Sequence, residues 1–155
     1  MAGRLKREIK QTKPFGSLQE EVVLSMLRTA DHLAVPMNDV LREAGLSLSQ
    51  YNILRILRGA GTSGLPCGEI AERMVRRDPD LTRLLDRMEA RGLVTRSRAT
   101  TDRRVVLASI SDEGLRVLQA LDAAVDATVR KTLSHMTKDR LSALCELLEE
   151  ARERD

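Results

Sequence analysis

The sequence predicts a mostly helical α+β protein, and three observations carry that expectation. Its apolar residues are almost all aliphatic and recur at helical spacing in several separate segments. Helix-start signals of the Ser/Thr-x-x-Glu/Gln kind stand ahead of some of those segments. One short stretch, from Leu93 to Ile110, changes to a period near two and is rich in β-branched residues. The chain has 155 residues, about the length of one domain, and with 42% hydrophobic and 32% charged residues it can bury a core and stay in solution. Phe15 and Tyr51 are its only aromatic residues, so a nucleic-acid surface built on stacked rings is excluded. No apolar run exceeds four residues, against roughly 20 needed to cross a bilayer, and the basic start has no secretory apolar stretch. A cytoplasmic protein is expected.

Residues 1–16 show no apolar period and include Pro14 and Gly16, so a loosely held basic arm is expected there. Ser17 and Glu20 form a capping box for a helix carrying Leu18, Val22, Leu27 and Ala30. Pro36, with no amide donor, should interrupt it near Val35 and leave a second piece from about Met37 to Glu43, stopped by Gly45. Ser47 and Gln50 form a second box, with Leu46 and Tyr51 placed as a hydrophobic staple. The stripe Ile53, Leu54, Ile56, Leu57 then runs into GAGTSG. Leu65 suits a one-residue edge strand, and Pro66 the first turn of a helix burying Ile70, Ala71 and Met74. Asp78 as N-cap and Pro79 as first residue open the next helix, with Leu81, Leu84, Leu85 and Met88 inward. Gly92 is placed as the left-handed residue of a Schellman cap. Two strands, Leu93–Arg98 and Val105–Ile110, flank a polar hairpin tip. Ser111 caps a long helix reaching about Ser134, and Thr137 opens the last one.

Charge is unevenly placed. Of the 26 basic residues 21 are arginines, and residues 1–16 and 83–104 each carry a net +4, whereas the last nineteen residues hold four bases against six acids. Clustered arginines suit a polyanion, because each guanidinium bonds phosphate or guanine through two N–H groups. A solvated arginine-rich surface explains the composition equally well. Cys67, Cys145, His32 and His135 are isolated from one another, so neither a disulfide framework nor a sequence-local metal site is expected.

The order helix, short turn, helix, arginine-bearing hairpin is the layout of a winged helix-turn-helix. A helix fits the major groove, and a narrow hairpin can push an arginine into the electronegative minor groove. The segments LSLSQYNILRIL (46–57), GLPCGEIAERM (64–74), DLTRLLDRMEARGLVTR (80–96) and TDRRVVLASISDEG (101–114) together resemble the MarR (multiple antibiotic resistance regulator) family, over about residues 17–150. The resemblance implies a recognition helix from Pro79 to Arg91, with Thr82, Arg83 and Arg87 facing groove and phosphate. The family's wing signature Asp-x-Arg falls on Asp102 and Arg104. Arg104 would then enter the minor groove, Asp102 would hold the wing arginines by charge pairing, and Arg98 and Arg103 would add phosphate contacts. Asp86 is expected to hold a nearby arginine rather than touch a base. RMVRRDPDLTR departs from the family pattern, since Asp80 at the helix start is repelled by phosphate.

The resemblance also implies a homodimer reading a pseudo-palindromic operator, with half-sites about 10 bp apart. Residues 47–110 would form the winged helix-turn-helix and 17–45 with 112–152 the dimerisation helices of one domain, 17–152. Leu141, Leu144 and Leu148 are the candidate interface, though packing against the preceding helix would use them too. A small aromatic or phenolic effector would sit near Met26, His32, Met37 and Tyr51, with no cofactor or metal. No cysteine precedes Cys67, so an oxidant sensor at the first helix is not carried over. The expected function is a DNA-binding transcription regulator, a repressor released by a ligand. The competing classes are an enzyme, for which no GxSxG, HExxH or phosphate loop is present, and a winged-helix module that docks protein instead of DNA.

Overall fold

The computed structural model describes residues 4–153. The chain divides into two compact units, one ending at Pro36 and one beginning at Met37.

In the N-terminal unit the expected arm contains a helix, α1 (Arg4–Glu8). The first three residues of that arm lie outside the described residues. Arg4 Nε pairs with Glu8 Oε1 at 2.7 Å, Leu5 is buried, and Lys10 at φ +53° reverses the chain. The element is too short to leave a period in the sequence, and a left-handed lysine is not a residue that local preference nominates. Helix α2 (Leu18–Glu43) begins as expected, with the Glu20 amide donating to Ser17 Oγ at 3.1 Å. The returning carboxylate of that cap accepts from the Gly16 amide at 2.6 Å, one residue ahead of the usual partner.

The expected break at Pro36 does not occur: α2 is a single helix of 26 residues with the proline inside it. Proline removes one rung of the ladder, and helical bonding resumes beyond it. On the Met37 side Leu41 is fully buried, and a Schellman closure ends the helix. There the Leu46 amide donates to the Leu41 carbonyl at 3.0 Å and the Gly45 amide to Arg42 at 2.9 Å, with Gly45 at φ +66°.

The second unit holds the core. Helix α3 (Leu48–Ala60) opens with both bonds of the Ser47–Gln50 capping box, and Leu46 and Tyr51 are both buried. A 3₁₀ turn over Gly61–Ser63 leads to β1 (Leu65–Pro66), which is two residues long. Helix α4 (Cys67–Arg73) follows with Pro66 at its N-cap, one position earlier than its expected place in the first turn. Helix α5 (Leu81–Ala90) starts two residues later than Asp78 and Pro79 suggest. Asp78 Oδ1 accepts from the Asp80 amide at 2.9 Å, so the aspartate closes an Asx turn ahead of the helix instead of capping it. At the other end the Schellman cap is formed: the Leu93 amide donates to Met88 at 3.0 Å and Gly92 to Glu89 at 2.8 Å.

Strands β2 (Val94–Arg98) and β3 (Val106–Ile110) pair antiparallel, with Arg96 opposite Ala108, and β1 adds to the far side of β3 in the order β1-β3-β2. Helix α6 (Asp112–Thr132) is capped by Ser111 Oγ, and α7 (Lys138–Glu150) by Thr137 Oγ1. The core is aliphatic: Ile53, Leu54 and Leu57 of α3 meet Ile70, Leu84, Leu85 and Met88, and Leu118 of α6 joins them. Each such side chain contributes about 1.5–3 kcal/mol by leaving water. Arg58 of α3 forms a bidentate bridge to Asp122 of α6, 2.8 Å at its shortest, and that hydrogen bond raises the guanidinium pKa above its ordinary value.

Two glycines test how tightly α6 is seated. A methyl group on Gly114 would run into the Leu93 carbonyl oxygen and lie 2.8 Å from Ile110 Cγ1, whereas nothing lies within 4 Å of one added to Gly59. Urea unfolding of Gly114→Ala is expected to show a loss of about 1–3 kcal/mol from overpacking. Gly59→Ala, at an exposed position of α3, should gain about 0.5–1 kcal/mol.

Candidate nucleic-acid interface

Helix α5 has two opposed faces. Leu81, Leu84, Leu85 and Met88 are buried, which turns Thr82, Arg83, Asp86 and Arg87 to solvent. Arg83 is 80% exposed and lies 3.7 Å from Asp80, so the aspartate that departs from the family pattern partly occupies it. Arg87 has no ion-pair partner among the described residues. Thr82 Oγ1 lies 3.9 Å from Cys67 Sγ, and that thiol is half-buried at the base of the helix.

Asp86 does hold an arginine, as expected. The partner is Arg96 of β2 at 2.7 Å, a residue that the sequence reading left out of the site. Its signal was weak, since a strand arginine at that spacing reads as one more solvated charge.

The wing tip departs from expectation at Asp102, which is paired with no arginine side chain among the described residues. Its Oδ1 accepts from the Arg104 amide at 2.9 Å, and its carbonyl oxygen accepts from the Val105 amide at 3.0 Å. Asp102 therefore shapes the turn through the backbone, as a short carboxylate two residues upstream of an amide can. Arg98 is likewise tied to the wing backbone, its Nη1 donating to the Arg103 carbonyl at 2.8 Å. Arg103 and Arg104 remain exposed, without ion-pair partners among the described residues. Arg91, at the end of α5, donates to the Gly45 carbonyl at 2.8 Å and serves packing.

A cavity of about 530 Å³ lies between α3 and the segment Val75–Pro79 that leads into α5. Met37, Tyr51, Asn52, Arg55, Arg76 and Arg77 are among its lining residues. Asn52 Oδ1 accepts from the Val75 amide at 2.9 Å, and the Arg55 guanidinium stands 6.0 Å from the centroid of the Tyr51 ring. Of the four expected effector residues, Met37 and Tyr51 thus meet at one cavity. Met26 and His32 belong to the N-terminal unit, and His32 is exposed.

Helix α7 has no buried residue: Leu141 and Leu148 are half-buried, Leu144 is exposed, and Leu147 is 61% exposed. Leu147 was not singled out from the sequence. Among the described residues no helix is long and apolar enough to cross a membrane, and no three metal-binding side chains cluster.

Comparison with known proteins places this arrangement. Residues 46–106 match the MarR family model. The chain is 29% identical over 129 residues to the transcriptional repressor MdtR of Bacillus subtilis, an alignment covering 83% of this chain and 82% of that one. It is 38% identical to a MarR transcription factor of Planctomyces limnophilus, covering 87% of this chain and 98% of that chain with a TM-score of 0.66. A mutant Escherichia coli MarR solved in complex with operator DNA shares the fold at 22% identity, with a TM-score of 0.77 over 89% of this chain and all of that one. With a helix-turn-helix and wing in this order, and that identity running along nearly the whole of a solved relative, the chain belongs to the MarR family.

Proposed function

We propose that the protein is a homodimeric, sequence-specific double-stranded DNA-binding transcription regulator, a repressor that a small molecule releases. One observation carries the proposal. Helix α5, with its whole apolar stripe buried beside the wing, offers Thr82, Arg83 and Arg87 outward, and the wing tip adds Arg103 and Arg104, which have no ion-pair partner among the described residues. The helix would enter the major groove, where Arg87 can take guanine O6 and N7 or a phosphate. Arg104 would enter the minor groove, and Asp102 would hold the turn that aims it. The E. coli MarR that shares this fold was solved in complex with operator DNA, which supports duplex DNA as the partner.

A protein-docking role finds no support in the face itself. Thr82, Arg83, Asp86 and Arg87 offer no apolar or aromatic anchor, which the centre of a protein interface favours. This reading has no catalytic step, and the protein would work where the chromosome is, in the cytoplasm. Exposed Leu144 and Leu147 on α7, and separately Leu18, Val23, Leu27 and Val35 on α2, are the surface that a second copy would cover. The cavity behind Val75–Pro79 is the candidate effector site. A ligand there would act on the segment that sets the start of α5.

Two measurements test this. Binding to a duplex selected from a random-sequence pool should weaken steeply with salt, log K falling with a slope of about −0.9 per phosphate neutralised. Arg104→Ala and Arg87→Ala should each cost about 1–3 kcal/mol, and a residue on phosphate should also flatten the slope by about one. Salt-independent binding, or wild-type affinity in both variants, would remove the DNA reading. Sedimentation of the double variant Leu144→Glu, Leu147→Glu should show monomers where the wild type shows dimers, and the variant should bind the palindromic duplex weakly.

A further inference from the structure

Arg96 lies in the middle of β2, opposite Ala108, yet its side chain leaves the sheet to lie along α5. Its Nη1 is 2.7 Å from Asp86 Oδ1 and its Nε 3.7 Å from Glu89 Oε2. Its Nη2 donates to the Thr82 carbonyl oxygen at 3.3 Å. The three acceptors run along about two turns of the helix, so one planar guanidinium holds the length of it. The Arg96 side chain is only 23% exposed, against 80% for Arg83. Its charge is consumed within the protein, unlike those of Arg87, Arg103 and Arg104.

We infer that Arg96 is a positioning residue for sequence discrimination: it clamps the recognition helix to the first wing strand so that both reach their grooves as one body. The inference rests on the DNA-binding reading above. Phosphate attraction tolerates a helix that rocks by an ångström, because any nearby cation serves. Paired hydrogen bonds to a base edge do not tolerate it, since donor and acceptor must stay within about 3 Å. Loss of the clamp therefore lowers the preference for the right sequence more than it lowers attraction to DNA as such. Lysine would keep the charge without the fork, and so would not replace it.

The test measures affinity for a duplex selected by the wild-type protein from a random pool and for a shuffled duplex of the same length. Arg96→Gln and Asp86→Asn change the net charge in opposite directions. Affinity for the shuffled duplex should thus fall slightly in the first and rise slightly in the second. The ratio of selected to shuffled affinity should nevertheless fall in both, by about tenfold in Arg96→Gln. The fall should be smaller in Asp86→Asn, where Glu89 and the Thr82 carbonyl still hold the guanidinium. The double variant should be no worse in ratio than Arg96→Gln alone, and Arg96→Lys should lose most of the ratio while binding shuffled DNA like the wild type. Thermal unfolding of each variant identifies the folded ones, and Asp86→Asn and Arg96→Lys carry the test if Arg96→Gln does not fold. An unchanged ratio with shuffled affinities moving in opposite directions would show that Arg96 acts by charge alone, overturning the inference. Additive losses in the double variant would also overturn it. A wild-type protein that prefers no duplex over a shuffled one defeats the DNA reading itself, and this inference with it.

Discussion

The buried stripe Leu81, Leu84, Leu85, Met88 is the constraint on which the rest of the structure depends. A helix of ten residues is too short to persist alone in water, so α5 exists because this stripe is buried. Burial also fixes its rotation: with those four positions inward, residues 82, 83, 86 and 87 have no direction but outward. The closing cap extends the same control to the wing. Gly92 at φ +70° reverses the chain, and the Leu93 amide returns to the Met88 carbonyl. The first strand thus leaves the helix at a set angle with Leu93 and Val94 already in the core.

The stripe joins a core in which Ile53, Leu54 and Leu57 of α3 are wholly buried, while β2 and α4 pack directly against α5. Helix α6 presses on α3 through Leu118 and the Arg58–Asp122 bridge, and Gly114 admits its first turn against the Leu93 carbonyl. The partnership is confined to the first part of that helix. Val125 is its last buried residue, Val129 is half exposed, and no residue of α7 is buried. The outward face of α5 therefore stands on a well-buried base, and the C-terminal helices carry exposed apolar side chains.

Much of this was legible in the sequence, for physical reasons that differ from element to element. Capping boxes, the Schellman glycine and the β-branched run at Val105 are local chemistry, and the structure bears them out at Ser47, Gly92 and β3. The misreadings arose where local preference meets tertiary context. Pro36 forbids one hydrogen bond, not a helix, and α2 continues through it. Asp78 is an equally good partner for an Asx turn and for an N-cap, and sequence cannot choose between them. In the candidate site, the pairing of Asp86 with an arginine follows from the sequence, because a carboxylate on a helix proposed to face DNA needs a cation. Which cation depends on the strand-to-helix packing. For the same reason Asp102 was matched to the wing arginines by charge, although its oxygen found the nearest amide.

The arginine count of residues 83–104 overstates the number of guanidinium forks free to bond a polyanion. Arg91 serves the Gly45 carbonyl, Arg98 the Arg103 carbonyl, and Arg96 two carboxylates, while Arg83 is shared with Asp80. Arg87, Arg103 and Arg104 remain, one on the helix and two at the wing tip. Each guanidinium that bonds within the protein is one fewer fork for a phosphate, and non-specific attraction scales with the phosphates neutralised. Where the free groups stand then matters more than how many arginines the segment holds. The arginines bonded within the protein are therefore part of the same arrangement as those left free: they spend hydrogen-bonding groups on fixed geometry, where more free forks would strengthen binding to every sequence alike.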